Sequence, residues 1–106
     1  MNPRLELLKR YLQEDPSDSF LRYALALEYI SLNEHDQAYK QLVDLLNEDS
    51  QYLAAYYMAG KSAEAMQKNK EAIHWYSTGI DVAKLQKNPH TLNELLAALN
   101  QLEEGE

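Results

Sequence analysis

The chain has 106 residues, no cysteine and a formal net charge of −7 at pH 7. A chain of this length buries roughly two thirds of its unfolded surface, which is enough for one hydrophobic core. The lack of cysteine excludes disulfides and thiolate sites, and the acidic charge disfavours nucleic acids and anionic membrane surfaces as partners. No segment approaches the roughly 18 to 20 apolar residues of a membrane span or resembles a secretory signal, so we expect a cytoplasmic protein with no membrane partner.

Apolar periodicity predicts six helices. The first is expected at about residues 3–14, and Pro16 follows it in a linker. Two helix pairs come next, at about 18–48 and 51–86, and a last helix at about 89–103. In each pair the first helix is apolar nearly all round, which predicts that it is covered on most sides, whereas the second has one polar face. We therefore expect an all-α fold in which inner and outer helices alternate in a curved, two-layer stack.

The two helix pairs repeat along the chain. A shift of 34 residues places Tyr23 on Tyr57, Ala26 on Gly60, Leu32 on Met66, Ala38 on Ala72 and Leu46 on Ile80. This period is typical of stacked helix–turn–helix units, which cannot bury their apolar faces singly. Small residues at repeated positions let the paired helix axes approach each other. The predicted organisation of this single domain, 1–106, is a half-repeat at 1–17, full repeats at 18–51 and 52–86, and a capping helix with a tail at 87–106.

The chain resembles the tetratricopeptide repeat family. The residues that carry the resemblance are the small Ala26, Ala38, Gly60 and Ala72, the bulky Tyr29, Leu42 and Tyr76, and Pro16. It departs from the family signature at Arg22 and Tyr56 in place of tryptophan, Leu45 and Gly79 in place of alanine, and Ser50 and Lys84 in place of the closing proline. The resemblance implies a right-handed superhelix of helix pairs that acts as a protein-interaction scaffold.

The resemblance also implies a concave groove that is lined by the inner helices. The partner-binding residues it implies are Phe20, Tyr23, Leu27, Ile30, Ala54, Tyr57, Met58, Lys61 and Glu64. Chaperone-binding members of the family grip a terminal carboxylate with cationic and amide side chains, whereas the corresponding positions here hold Tyr23, Leu27 and Met58. We therefore expect no carboxylate clamp. An apolar and aromatic groove suits an amphipathic helix or an apolar peptide anchor, although Tyr23 and Tyr57 also suit a packing role alone.

No motif in the sequence indicates catalysis. His35, His74 and His90 are far apart in the chain, and there is neither a His-Glu-x-x-His pair nor a glycine-rich phosphate loop. We therefore expect a non-enzymatic adaptor for a protein or peptide, with no catalytic, cofactor-binding or metal-binding residues. The alternative is a structural protein that self-associates, for example as a homodimer, with a second copy in the groove or at an end of the stack.

The last predicted helix carries a leucine stripe, which consists of Leu92, Leu95, Leu96, Leu99 and Leu102. Stacked repeats need a solubilising cap at their ends, and this helix is expected to provide one over the second repeat. A dimer seam is the alternative, but a leucine stripe of under two heptads is too short to form a coiled coil alone.

Overall fold

The protein consists of α-helices joined by short turns. The computed structural model describes residues 2–105, and none of these residues lies in a β-strand. In chain order the helices are α1 Pro3–Glu14, α2 Ser19–Ser31, α3 His35–Glu48, α4 Leu53–Ala65, α5 Asn69–Leu85 and α6 Pro89–Glu104. The predicted all-α class, the number of helices and their order are therefore confirmed.

Side-chain caps define where three of the helices begin. The side chains of Asn2, Asp18 and Asn88 each accept a hydrogen bond from the backbone N–H three residues further on, at 3.0 to 3.1 Å. Pro3 and Pro89 follow two of these caps, at positions where the missing proline N–H removes no helical hydrogen bond. The remaining helices, α3 to α5, have no side-chain cap, so packing carries more of their stability.

Two kinds of turn join the helices. The α2–α3 and α4–α5 turns contain a residue in the left-handed conformation, Asn33 (φ 60°) and Gln67 (φ 62°). In each turn, the N–H of the residue after the left-handed one donates to the carbonyl five residues before it, at 2.9 Å in the α2–α3 turn and 2.8 Å in the α4–α5 turn. This hydrogen bond closes the helix end in a Schellman arrangement. The α5–α6 turn has the same form at Lys87 (φ 57°). The α1–α2 and α3–α4 turns instead close with a hydrogen bond between residues three apart, at 3.2 Å.

The main core lies among α3, α4, α5 and α6. Its largest fully buried side chains are Tyr76, Leu42, Leu45 and Leu95. A second, smaller cluster consists of Leu25, Tyr29 and Ala38, and α1 packs against it with three half-buried leucines. No residue of α1 is buried. The N-terminal end of the stack is therefore held by less apolar contact than the middle.

The small residues of the repeat lie where helices touch. Ala26, Ala38 and Ala72 are completely inaccessible to solvent. A Cβ atom on Gly60 would overlap the ring of Tyr76. These positions therefore match the close helix contacts that the repeated pattern predicts.

Helix α2 is less covered than its composition predicts. Its buried residues are only Leu25, Ala26 and Tyr29, while Phe20 and Leu27 remain exposed. The equivalent helix α4 buries more of its side chains because it contacts α3, α5 and α6, whereas α2 contacts only α1 and α3 as substantial neighbours. Most residues of α2 are still buried or half-buried, so the predicted covering of the inner helices is less complete for α2 than for α4.

Candidate functional site

The residues predicted to bind a partner lie on α2 and α4, and we call the surface that they form the inner face. Its exposed members are Phe20, Leu27 and Ala54; its half-buried members are Tyr23, Ile30, Tyr57, Met58, Lys61 and Glu64. Met58 packs against the main core, and Ile30 packs against the smaller cluster beside α1. The apolar surface that a partner could cover is therefore formed mainly by Phe20, Leu27 and the two tyrosines.

Tyr23 connects α2 to the helices that follow it. Its ring packs at a tilt against the ring of Tyr52, with 5.3 Å between the centroids. Burial raises the pKa of Tyr23 above its ordinary value, and the neighbouring Tyr52 and the negative charge of Glu94 raise it further. Glu94 belongs to α6, so the last helix borders the inner face. The sequence did not place Glu94 near Tyr23, because the position of α6 depends on how the intervening helices stack.

Tyr57 and Lys61 form the second half of the inner face. The Tyr57 ring packs at a tilt against Tyr76, with 6.2 Å between the centroids. The Lys61 ammonium lies 5.5 Å from the centroid of the Tyr57 ring and 4.0 Å from a carboxylate oxygen of Glu64. A cation at this distance from an aromatic face is attracted by the ring's quadrupole. Lys61 is therefore held over the tyrosine, at the edge of the apolar surface.

Glu64 has a structural role as well as a place on the inner face. Its carboxylate accepts a hydrogen bond from the hydroxyl of the buried Tyr76. Burial raises the pKa of Tyr76 well above its ordinary value, and the hydrogen bond to Glu64 raises it further. Lys61 and Glu64 thus form a polar edge of the inner face, and the Glu64 carboxylate also satisfies a core hydroxyl.

An aromatic cluster of Tyr39, Tyr56 and Trp75 lies where α3, α4 and α5 meet. The Trp75 indole N–H donates to the Tyr39 hydroxyl at 2.8 Å, and the Tyr56 and Trp75 ring centroids are 6.2 Å apart. Tyr56 also donates from its hydroxyl to the Ser50 carbonyl at 2.8 Å. This cluster joins α3, α4 and α5 and secures the turn that precedes α4.

The histidines are separated in space as well as in sequence. His74 stands edge-on beside Trp75, and His90 lies 3.8 Å from a carboxylate oxygen of Glu94. His35 is half-buried at the start of α3. Within residues 2–105, no group of three or more His, Cys, Asp or Glu side chains is arranged to hold a metal ion. In the same part of the chain, no helix has the length and apolarity needed to cross a membrane.

Comparison with known structures places this arrangement among helical repeat proteins. A tetratricopeptide repeat domain protein from Salinibacter ruber is 35% identical, with a TM-score of 0.81 over 87% of this chain and 93% of that chain. The crystal structure of the Salinibacter ruber domain gives 34% identity and a TM-score of 0.80, over 84% of this chain and 100% of that chain. Protein BPP2914 from Bordetella parapertussis shares the fold at 23% identity, with a TM-score of 0.85 over 99% of this chain and 91% of that chain.

Sequence comparison gives the same assignment. Residues 3–78 match the family model described as anaphase-promoting complex, cyclosome, subunit 3. A comparison with curated proteins gives no match. Folds of this kind are generally protein-interaction scaffolds and are typically non-catalytic. From the 34-residue period, the paired helices and these similarities, the chain belongs to the tetratricopeptide repeat family.

Proposed function

We propose that this protein is an adaptor that binds a protein or peptide segment on its inner face. The observation that carries the proposal is the exposure of large apolar side chains there: Phe20 keeps 67% and Leu27 38% of its surface accessible. Grouped apolar side chains on a soluble surface mark interaction sites. The half-buried Tyr23 and Tyr57 add aromatic surface of the kind that is enriched at interfaces. The family's general role as an interaction scaffold supports the same proposal.

The chemistry of the inner face indicates what kind of segment it accepts. Phe20 and Leu27 lie seven residues apart on α2, about two helical turns, so both project from one side of that helix. An amphipathic helix or an extended peptide with large apolar anchors would remove these side chains from water. Lys61 and Glu94 lie at the border, where they offer one charge of each sign to polar groups beside the anchors.

The test compares proteins captured by the wild-type chain and by variants from a lysate of the source organism. The double variant Phe20→Ser/Leu27→Ser removes apolar anchors that contribute little to the core, so it should stay folded and lose specific partners. Leu85→Ser is the matched control, because Leu85 is 80% exposed, lies at the end of α5 and is not one of the inner-face residues. It should retain every partner.

A second double variant, Tyr23→Ala/Tyr57→Ala, examines the aromatic part of the inner face. Both tyrosines contact the core, so circular dichroism must first show that the variant is folded. Retention of all captured proteins by both double variants would exclude the inner face as the binding surface.

Self-association is the second candidate function, and an exposed apolar pair on α1 favours it. Leu7 and Tyr11 keep 41% and 44% of their surface accessible and lie four residues apart, which places them on the same side of the helix. Light scattering at micromolar concentration separates the candidates. A mass above the monomer that Leu7→Ser/Tyr11→Ser restores to the monomer value would support self-association through α1. A strict monomer leaves the inner face free for another protein.

A further inference from the structure

A cleft of about 500 Å³ opens between α1, α2 and α3, away from the inner face. Leu12, Leu25 and Tyr29 give it an apolar lining, and Lys9, Arg22 and Gln41 place polar groups around that lining. The volume falls within the roughly 300 to 1,000 Å³ that is typical of small-molecule sites. The cleft thus combines an apolar surface with two cations, in a chain whose net charge is −7.

The second repeat shows what would close such a cleft. A shift of 34 residues places Leu5 on Tyr39, Arg22 on Tyr56 and Gln41 on Trp75. The three later positions, which lie on α3, α4 and α5, hold the aromatic cluster, and this cluster fills the space between α3 and α5. The three earlier positions hold smaller or polar side chains, and the space between α1 and α3 remains open. Arg22 and Gln41 line the cleft, so the cleft follows from the substitutions at these equivalent positions.

Arg22 is held in place at the cleft without a carboxylate partner. Its guanidinium donates to the Gln41 side-chain oxygen at 2.9 Å and to the Pro16 carbonyl at 3.2 Å. Among the described residues no carboxylate forms an ion pair with it, although acidic residues outnumber basic ones by 17 to 10. A guanidinium has more N–H donors than these two bonds use, and its planar fork matches a carboxylate. A half-buried, oriented cation of this kind is suited to an anionic ligand.

Lys9 adds a second positive charge. Its ammonium lies 5.9 Å from the centroid of the Tyr29 ring and 3.8 Å from a carboxylate oxygen of Glu6. Because this ion pair is long and exposed, it is weak. Lys9 can therefore turn towards an anion in the cleft at little energetic cost.

We propose that this cleft binds a small amphipathic carboxylate. The carboxylate accepts hydrogen bonds from Arg22 and Lys9, and the apolar body of the ligand covers Leu12 and Leu25. The cleft is open to solvent on one side, so part of the bound ligand stays accessible to water. The site is distinct from the inner face, so the proposal stands or falls independently of the adaptor function.

The probe is octanoate, which is titrated into the ¹⁵N-labelled full chain while its amide NMR signals are recorded. We expect saturable shifts at Lys9, Leu25, Tyr29 and Gln41. Octanol has the same apolar body without the charge and should bind at least about tenfold more weakly, because it cannot form the charged hydrogen bonds. Added salt should weaken binding of octanoate, but not of octanol.

Variants locate the site. Arg22→Tyr/Gln41→Trp copies the second repeat, and it should reduce octanoate binding at least about tenfold, since it fills the cleft and removes a cation. Lys9→Gln changes an exposed side chain and should lower the affinity severalfold without affecting the fold. Lys61→Gln is the matched control, because Lys61 also stands over a tyrosine but on the inner face. It should bind octanoate like the wild type.

The proposal would be overturned if octanol bound as tightly as octanoate, or if the shifts caused by octanoate mapped to the inner face. It would also be overturned if octanoate bound unchanged to both Lys9→Gln and Arg22→Tyr/Gln41→Trp. An acidic peptide of alternating glutamate and leucine provides the remaining comparison. Shifts at the cleft with this peptide but none with octanoate would indicate a protein ligand and refute the assignment to a small molecule.

Discussion

The contact between Gly60 and Tyr76 offers a sharp test of how the second repeat packs. Tyr76 is completely buried, and a Cβ atom at residue 60 would overlap three atoms of its ring. The equivalent positions of the first repeat hold Ala26 and Leu42, which are also completely buried. The second repeat thus pairs glycine with a large ring, and the first pairs alanine with a smaller side chain. The summed volume of the two side chains therefore differs less between the repeats than the volume of the larger side chain does.

Two opposing effects determine the stability of Gly60→Ala. Alanine gains about 1 kcal/mol over glycine in a helix, whereas overpacking a core costs about 1 to 3 kcal/mol. The Tyr76 ring cannot move aside easily because it is enclosed and its hydroxyl donates to Glu64. We therefore take the upper part of the range for overpacking, which leaves a net loss of about 2 kcal/mol. For a domain of this size that corresponds to a fall in Tm of about 8 to 16 °C.

A double-mutant cycle measures the contact directly. Tyr76→Leu alone should cost about 2 to 3 kcal/mol, since it leaves a cavity. Gly60→Ala/Tyr76→Leu copies the first repeat, and the added methyl group then occupies part of that cavity. We expect the double variant to be more stable than the sum of the single effects predicts, by about 1 to 3 kcal/mol. Urea denaturation followed by circular dichroism gives the free energies of unfolding.

Two results would refute this reasoning. A Gly60→Ala variant at least as stable as the wild type would mean that helix propensity outweighs the overlap with the ring. Additive effects in the cycle would mean that residues 60 and 76 do not compete for the same space.

Three further predictions concern a second close contact, a cap and the tyrosine hydroxyls. Ala72→Leu should overpack a completely buried position and lower the free energy of unfolding by about 1 to 3 kcal/mol; an unchanged urea midpoint would contradict the predicted close contact. Asn88→Ala removes the α6 cap and should cost about 1 kcal/mol, whereas Asn88→Asp should retain most of the stability in the same assay. The raised pKa of Tyr76 means that the folded state keeps a proton that the unfolded state releases above about pH 10. Stability should therefore fall as the pH rises above 10, and Tyr76→Phe should show a shallower fall in alkaline denaturation; equal slopes would indicate that Tyr76 does not contribute.

The sequence predicted the helices and their pairing well because both depend on local and periodic signals. Apolar periodicity along the chain marks each helix, and the 34-residue shift shows which positions are equivalent. The small residues at helix contacts were predicted for the same reason. Their role depends on the spacing between two helices, which a repeated sequence pattern reveals.

The inner face was harder to predict because exposure depends on which neighbours a helix has. Phe20 and Leu27 remain exposed since α2 lacks the third neighbour that α4 has in α6. The hydrogen bond from Tyr76 to Glu64 joins residues 12 apart on different helices, and no local pattern signals it. Whether the nine residues of the inner face bind a partner stays a prediction.

The cleft beside Arg22 was missed, although the sequence contained a signal for it. Arg22 was noted only as a departure from the family signature. Comparing all equivalent positions would have shown that Arg22 and Gln41 replace the aromatic Tyr56 and Trp75. The consequence for space and charge became clear only when the structure showed the two polar side chains bonded to each other.

The left-handed residue Lys87 has a consequence for anyone who wishes to build longer arrays from this protein. The α3–α4 turn marks the passage from one repeat to the next, but the α5–α6 turn has the form found inside a repeat, and α5 is three residues longer than α3. Additional repeats inserted after α5 would therefore follow a turn of the kind found inside a repeat, not of the kind found between repeats. Insertion of the predicted repeat 18–51 after Gln51 keeps Tyr52 and α4 after their native turn and gives the new junction the same three residues, Asp49 to Gln51, before Asp18, so we predict that this junction is the place at which to lengthen the protein.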